Sequence, residues 1–93
     1  TYADLEPYYT KVEWEIGVSG DSSHNPHWPA RSRPYPMPPV PNNGAGHVLE
    51  IGAKKLGLNV RPAPLAIASR PYNGRSGCVA CGFCFAHGCE VNA

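Results

Sequence analysis

All four cysteines of this 93-residue chain lie within one run of twelve residues near its end, with the spacing CxxCxxCxxxxC. They are Cys78, Cys81, Cys84 and Cys89. A cysteine thiolate is a nucleophile, a redox group and a ligand for soft metals, so a run this dense predicts that several thiols act together. Gly77, Gly82 and Gly88 are interleaved with it, and we expect them to let the backbone fold closely around whatever the thiols bind.

The spacing alone leaves several chemistries open. A bacterial ferredoxin run has the same first two intervals, a final interval one residue shorter, and a proline where this chain has Glu90. Zinc sites normally use two CxxC pairs a dozen or more residues apart, for which twelve residues are cramped. A disulfide is sterically easier, and buried thiols without a ligand are common. The spacing favours iron–sulfur ligation, with a disulfide, zinc or buried thiols as the alternatives.

No other stretch of the sequence carries a comparably specific motif. The histidines are isolated, which is typical of surface or packing residues, and His87 is the best placed because it lies between two cysteines; they are His24, His27, His47 and His87. The stretch "NNGAGH" lacks the third glycine and the preceding strand of a phosphate loop, so it predicts a helix cap. Arg31 and Arg33 are expected to be solvated or to pair with carboxylates.

Two segments have the apolar spacing of a helix. The first is predicted from about residue 5 to 16, with Asp4 as N-cap, Pro7 in the first turn and Gly17 as the stop. The second is predicted from about 45 to 56, ending at Gly57, with one apolar face that includes Val48 and Leu49. The cysteine-rich loop is assigned to residues 77–89.

Proline interrupts most of the remaining chain. Residues 18–43 contain seven prolines, which excludes a regular helix or a central strand. The apolar residues Tyr35, Met37 and Val40 favour an extended segment laid across a larger body, partly buried, with Arg31 or Arg33 more exposed. After the second helix we expect short extended pieces near Val60 and residues 65–68, then a turn at residues 72–74.

Composition bounds what this chain can be. It has 11 prolines, 10 glycines and only two segments with helical apolar spacing, so its own core is expected to be incomplete, and we interpret the chain as an internal fragment. The net charge of +1, with no run of like charges, argues against a nucleic-acid partner. No apolar stretch approaches the roughly 20 residues of a membrane helix.

Two further stretches, "YADLEPYY" and "RSRPYPMPP", are specific together with the cysteine run. With these motifs, nearly the whole chain resembles the glucose–methanol–choline (GMC) oxidoreductases, of the bacterial gluconate, fructose and glucose dehydrogenase type. This resemblance implies a fragment of an α/β, Rossmann-like FAD-binding domain with two helices, proline-rich loops and little regular strand. It also implies an FAD-dependent dehydrogenase that oxidises an alcohol group of a sugar or polyol.

The same resemblance places the family's dinucleotide fingerprint upstream of such a segment and its catalytic histidine far downstream, so we assign no catalytic residue and expect the fragment alone to be inert. It implies a periplasmic or membrane-associated bacterial protein whose electrons pass to a cytochrome or another acceptor subunit. The rival interpretation is a stand-alone cysteine-rich metal-binding or electron-carrier module without catalysis.

Membrane-linked dehydrogenases of this type carry a three-iron cluster on cysteines spaced CxxxxxCxxxC. Cys78 and Cys84 match the first interval, and Cys89 comes one residue after the third position. The resemblance therefore implies that these three ligate a 3Fe–4S cluster. Cys81 has no counterpart, which leaves it as a fourth ligand, as in a 4Fe–4S cluster, or as a member of a disulfide that replaces the cluster.

Overall fold

The structure is a computed structural model, which describes residues 1–82, 84 and 88–93. It contains two helices, α1 at Tyr2–Ile16 and α2 at Gly44–Lys55. No strand occurs among the described residues, and the extended segments meet only at three isolated β-bridges. Both predicted helices are confirmed: α1 starts three residues earlier than predicted and ends at the predicted residue, and each end of α2 differs by one residue.

The start of α1 differs from the prediction. The N-cap is Thr1, and Asp4 lies inside the first turn, where its carboxylate accepts hydrogen bonds from the Thr1 amino group at 2.6 Å and the Thr1 hydroxyl at 2.7 Å. Pro7 consequently lies in the second turn, so the helix lacks one backbone hydrogen bond. The prediction was wrong because it took Leu5 as the first residue of the apolar stripe and overlooked Tyr2.

The end of α1 is confirmed at Gly17, which adopts the left-handed conformation with φ 78°. The backbone N–H groups of Gly17 and Val18 both donate to the Glu13 carbonyl at 2.9 Å. Two later residues complete the cap: the Tyr72 hydroxyl donates to the Trp14 carbonyl at 2.6 Å, and the Arg75 guanidinium donates to the Ile16 carbonyl. A cation at this end also complements the helix dipole.

The second helix begins with the cap that the sequence indicated. The Asn43 side chain accepts a hydrogen bond from the Gly46 N–H at 2.8 Å. Lys54 and Lys55 occupy the last turn, and Gly57 follows with φ 70°. No residue of α2 is buried, and Val48 and Leu49 are about two-thirds exposed. Its apolar face is therefore uncovered in this chain.

The proline-rich segment 18–43 lies along the polar face of α1. Buried Glu6 accepts hydrogen bonds from the Thr10 hydroxyl at 2.6 Å and from the Ser32 N–H at 3.0 Å and hydroxyl at 2.9 Å. Arg31 forms an ion pair with Glu13. Pairing with a carboxylate is one of the two environments predicted for this arginine. These contacts attach the segment to the helix through polar groups.

Aromatic contacts strengthen the same attachment. The guanidinium of Arg33 lies 3.3 Å from the Trp14 ring centroid, and the indole N–H donates to the Pro34 carbonyl at 3.0 Å. Cation–π contacts of this kind stabilise by about 0.5–1 kcal/mol at exposed sites. Tyr35 and Val40 are half-buried and Met37 is 1% exposed, so the predicted partial burial of this segment is confirmed.

Three distant segments meet at Ser19, which is fully buried. The Ser19 N–H donates to the Leu65 carbonyl at 2.8 Å, and the Leu65 N–H donates back at 2.9 Å. Ser19 also bridges Met37, with the Gly20 N–H donating to the Met37 carbonyl at 3.1 Å. The extended piece predicted near Leu65 is thus paired, but by a single bridge.

The hydrophobic core is small. Among the described residues, the buried hydrophobic side chains are Met37 and Ala68. The two helices do not contact each other. The radius of gyration is 14.8 Å, above the roughly 12 Å of a compact domain of this length. No helix in the described part of the chain has both the length and the apolarity to cross a membrane.

We therefore expect the isolated 93-residue chain to unfold without a cooperative transition. Its helices bury little apolar surface, and isolated helices of 12 to 15 residues are marginal in water. Circular dichroism during heating should show a broad, shallow change. A sharp sigmoidal melt that coincides at two wavelengths would contradict this expectation.

Gly17→Ala should destabilise the full-length parent polypeptide more than Gly57→Ala. Both glycines have left-handed backbones, but a Cβ at Gly17 would lie 2.6 Å from the Tyr72 ring and 2.7 Å from the Arg75 guanidinium, whereas Gly57 faces open space. We expect a loss of about 1 kcal/mol for Gly57→Ala and about 2–4 kcal/mol for Gly17→Ala in unfolding free energy. Equal losses of unfolding free energy in the two variants, measured by denaturant unfolding, would contradict this expectation, because Tyr72 and Arg75 would then move aside at little energetic cost.

Glu6→Gln should destabilise the parent at neutral pH and have less effect in acid. Hydrogen bonds from Thr10, and then from Ser32, hold the pKa of the Glu6 carboxyl below its usual 4.5. A carboxyl with a lowered folded-state pKa stabilises above the unfolded pKa, and this contribution is lost as pH falls through the folded pKa. The difference in melting temperature between wild type and Glu6→Gln should therefore shrink from pH 7 to pH 3.

The matched control is Glu15→Gln on the same helix, where the carboxylate is exposed and its ion pair is to Lys11 at 3.9 Å. Exposed ion pairs of this kind contribute little to stability, so the melting temperature of this variant should stay close to that of wild type from pH 7 to pH 3. A Glu6→Gln deficit that stays constant down to pH 3 would mean that the charge of Glu6 has no part in the attachment.

Candidate functional site

A tight turn leads the chain into the cysteine run. Tyr72 and Arg75 exchange backbone hydrogen bonds of 3.1 and 2.9 Å, and Asn73 and Gly74 between them have φ of 46° and 78°. Two consecutive positive φ values are typical of a type I′ hairpin turn, which suits Asn-Gly. The turn expected at residues 72–74 is confirmed.

The turn fixes where the cysteine run begins. Its Tyr72 and Arg75 side chains hold the end of α1, and the Cys78 N–H then donates to the Ala68 carbonyl at 2.7 Å. Gly77 lies against the backbone of Arg70, whose Cα would be 3.1 Å from a Cβ at this position. Cys78 is half-buried as a result, whereas the other three cysteines are exposed.

The glycines farther along the run have open surroundings. Among the described residues, no atom lies within 4 Å of a Cβ placed at Gly82 or Gly88. The expectation that these glycines let the backbone fold closely around what the thiols bind stays a prediction. An unusual backbone occurs at Ala80, whose φ of 51° is costly for a residue with a Cβ.

All four thiol-bearing residues line one cavity of about 750 Å³. Its other walls are mostly apolar and come from two distant segments, one before α2 and one after it; they include Val40, Pro41, Pro62, Leu65 and Ile67. The pairing of Ser19 with Met37 and Leu65 brings these segments together. The site therefore depends on contacts between residues far apart in sequence.

Backbone N–H groups point at two of the sulfurs. Ala80 donates to Cys78 Sγ at 3.4 Å, and Ala93 donates to Cys89 Sγ at 3.3 Å. Hydrogen bonds from Ala93 and Val91 hold the pKa of the Cys89 thiol below its usual value of 9.0. Because the thiolate is the form that binds metals and attacks other groups, these contacts favour the reactive form of Cys89.

A second cavity, of about 340 Å³, is lined by Cys81, Cys84 and Cys89 together with Val79 and Val91. No three His, Cys, Asp or Glu side chains of the described residues form a group that could hold a metal ion. Cys78, Cys84 and Cys89 are not joined in a disulfide. The described geometry thus brings the thiols to shared cavities without closing them around one ion, and the ligand set of Cys78, Cys84 and Cys89 stays a prediction.

The histidines take no part in these cavities as far as the structure describes them. His24, His27 and His47 are exposed, and His47 lies 3.9 Å from the Glu50 carboxylate. Exposed side chains of this kind fit the interpretation of ordinary surface residues. His87, the best placed of the four, lies outside the described residues.

The sequence interpretation missed Glu6 and the walls of the larger cavity. Glu6 has no predicted role, although Thr10 four residues later could have indicated a side-chain pair on one helix face. Nothing in the sequence indicated that Val40 and Ile67 face the cysteine run. Those contacts arise from pairing between segments, for which single-sequence patterns carry no signal.

No family model matches the chain. Among curated proteins it is 39% identical over 80 residues to the fructose dehydrogenase large subunit of Gluconobacter japonicus, covering 84% of this chain and 14% of that protein. It is 37% identical over 94 residues to the 6'''-hydroxyparomomycin C oxidase of Streptomyces lividus, a match that covers 100% of this chain and 17% of that protein. It is 33% identical over 92 residues to the paromamine 6'-oxidase of Streptomyces fradiae, a match that covers 98% of this chain and 15% of that protein.

These relatives are named as a dehydrogenase and two oxidases, so the chain is similar along most or all of its length to oxidoreductases. The predicted resemblance is confirmed at the level of oxidoreductases. The chain spans about one sixth or less of the length of each relative.

Proposed function

We propose that these residues are part of a GMC-type, FAD-dependent dehydrogenase that oxidises an alcohol group of a sugar, polyol or related compound. The observation that carries the proposal is the similarity, over 84% to 100% of the chain, to three enzymes named for oxidising fructose or aminoglycosides. The catalytic residues are proposed to belong to parts of the parent outside this segment, and no flavin-binding residue is assigned within it. A bound flavin would accept the two electrons released when the alcohol becomes a carbonyl.

The segment's own contribution is proposed to be the cysteine-lined cavity. Cys78, Cys84 and Cys89 are the proposed ligands of an iron–sulfur cluster, which would pass electrons from the flavin to an acceptor subunit such as a cytochrome. Two observations fit that donor set. All three residues line the larger cavity, and backbone N–H groups donate to the sulfurs of Cys78 and Cys89.

The remaining residues of the cavity would set its surroundings. Val40, Pro62 and Ile67 present apolar walls beside the thiols. The Cys78 N–H, bonded to the Ala68 carbonyl, fixes the first ligand to the body of the segment. The twelve residues from Cys78 to Cys89 are cramped for the two separated CxxC pairs of a zinc site, which favours a multi-iron centre over a single zinc.

The parent enzyme tests the proposal directly. The purified full-length protein should contain FAD, iron and acid-labile sulfide, and it should reduce an artificial acceptor when a sugar or polyol is added. A protein without flavin that oxidises no alcohol would overturn the assignment. A flavin-free protein that still binds iron would instead support a cysteine-rich electron carrier.

Substitutions at different cysteines should differ in their effects on iron content and electron transfer. In the full-length parent, Cys89→Ser should lose iron and slow electron transfer to the external acceptor by about tenfold or more, while flavin reduction by the substrate continues. Cys81→Ser, the matched control in the same cavity, should retain iron and the full rate. The measurements are iron content, flavin bleaching in single turnover, and steady-state reduction of the acceptor.

Two outcomes would contradict the ligand set. If Cys81→Ser loses iron and Cys89→Ser retains it, the ferredoxin-like set of Cys78, Cys81 and Cys84 is correct. If the wild-type parent has no iron and its thiol count rises only after reduction, the cysteines form disulfides.

A further inference from the structure

The first helix is polar on the side that it buries and apolar on the side that it exposes. Glu6 and Thr10 are each 8% exposed and face the proline-rich segment. Five large apolar residues on a neighbouring stripe of α1 are 40% to 51% exposed, and Tyr8 beside them is 68% exposed; the five are Tyr2, Leu5, Tyr9, Val12 and Ile16. This arrangement is the reverse of a surface helix, which normally buries its apolar stripe.

These five residues, which we call the α1 seam, follow each other at intervals of three, four, three and four. That alternation is the a and d pattern of a helix that packs along another helix. The rings of Tyr2 and Tyr9 are stacked with centroids 6.2 Å apart, so the seam is already a continuous surface. A narrow seam of this type fits a facing helix better than the wider face of a sheet.

Nothing described in this chain covers the seam, since α2 does not contact α1. A second copy of the segment is a weak candidate. At about 200 Å² for a fully exposed large side chain, five that are half exposed present roughly 500 Å², below the ~800 Å² per partner of a standard interface. A contact of that size is better suited to an intramolecular neighbour, which does not lose the translational freedom of a separate molecule.

We infer that the α1 seam docks on an amphipathic helix elsewhere in the same polypeptide. The inference rests on the proposed function in one respect, which is that the segment is part of a longer enzyme. The relatives are about six to seven times as long as the part that this chain matches, so their size leaves ample chain to supply that helix. The docked α1 would then hold the proline-rich segment through its polar face and the enzyme body through its apolar face.

The test is solvent access in the full-length parent. Leu5→Cys and Val12→Cys place a thiol in the seam, and Lys11→Cys places one on the same helix at a residue whose side chain is 72% exposed. The rate of maleimide labelling at each position can be read by peptide mass spectrometry, which separates it from labelling of the native cysteines. We expect the two seam positions to react at least tenfold more slowly than Lys11→Cys.

Equal rates at all three positions would overturn the inference. Protection that disappears on dilution, together with a dimer in light scattering, would also overturn it, because the partner would then be a second copy. If a seam variant fails to fold, hydroxyl-radical footprinting of the unsubstituted parent replaces it. Tyr9 and Leu5 should be oxidised at least tenfold more slowly in the native parent than after unfolding, and the inference fails if they are not.

The same preparation separates this inference from the proposed function. A parent that contains FAD and oxidises sugars while its seam labels freely would refute the docking alone. A parent with a protected seam but no flavin and no alcohol oxidation would refute the proposed function alone.

Discussion

The pairing of Ser19 with two distant segments is the constraint on which the rest of the structure depends. Its backbone lies between Met37 and Leu65, and its side chain is excluded from solvent. Because a single residue makes both bridges, the proline-rich segment and the segment after α2 are fixed relative to the end of α1. The apolar walls of the thiol-lined cavity come from these two segments, so the Ser19 pairing contributes to positioning them.

Polar contacts, rather than a hydrophobic core, connect the segments of this chain. Around Met37, the Arg70 guanidinium donates to the Pro36 carbonyl at 3.0 Å and the Ser69 hydroxyl donates to the Pro38 carbonyl at 2.6 Å. Proline cannot donate a backbone hydrogen bond, but its carbonyl accepts one, and these side chains use that capacity. Such contacts define geometry well and contribute modestly to stability, and the apolar faces of both helices are exposed in this structure.

The sequence predicted the local elements well because local rules decide them. Apolar spacing located both helices, Gly17 ended the first, and Asn-Gly formed the expected turn. It erred at Asp4 and Pro7, where one overlooked apolar residue displaced the helix start by about a turn. The cysteine spacing indicated that the thiols lie together, and they do share a cavity. The sequence did not indicate that the Ser32 hydroxyl donates to Glu6 or that Ile67 lies beside the cysteines, because those contacts join residues far apart in the chain.

The position of Trp14 gives this segment an intrinsic optical reporter. Its ring lies under the Arg33 guanidinium, and its indole N–H is bound to the Pro34 carbonyl, so its electronic environment is set by the proline-rich segment. Detachment of that segment would replace a cation and a carbonyl with water, which changes the emission of an indole. Trp28 is the other tryptophan of the chain and lies within the segment itself. In the 93-residue chain, the fluorescence of a Trp28→Phe variant would therefore report, without a label, whether the proline-rich segment is bound to its helix.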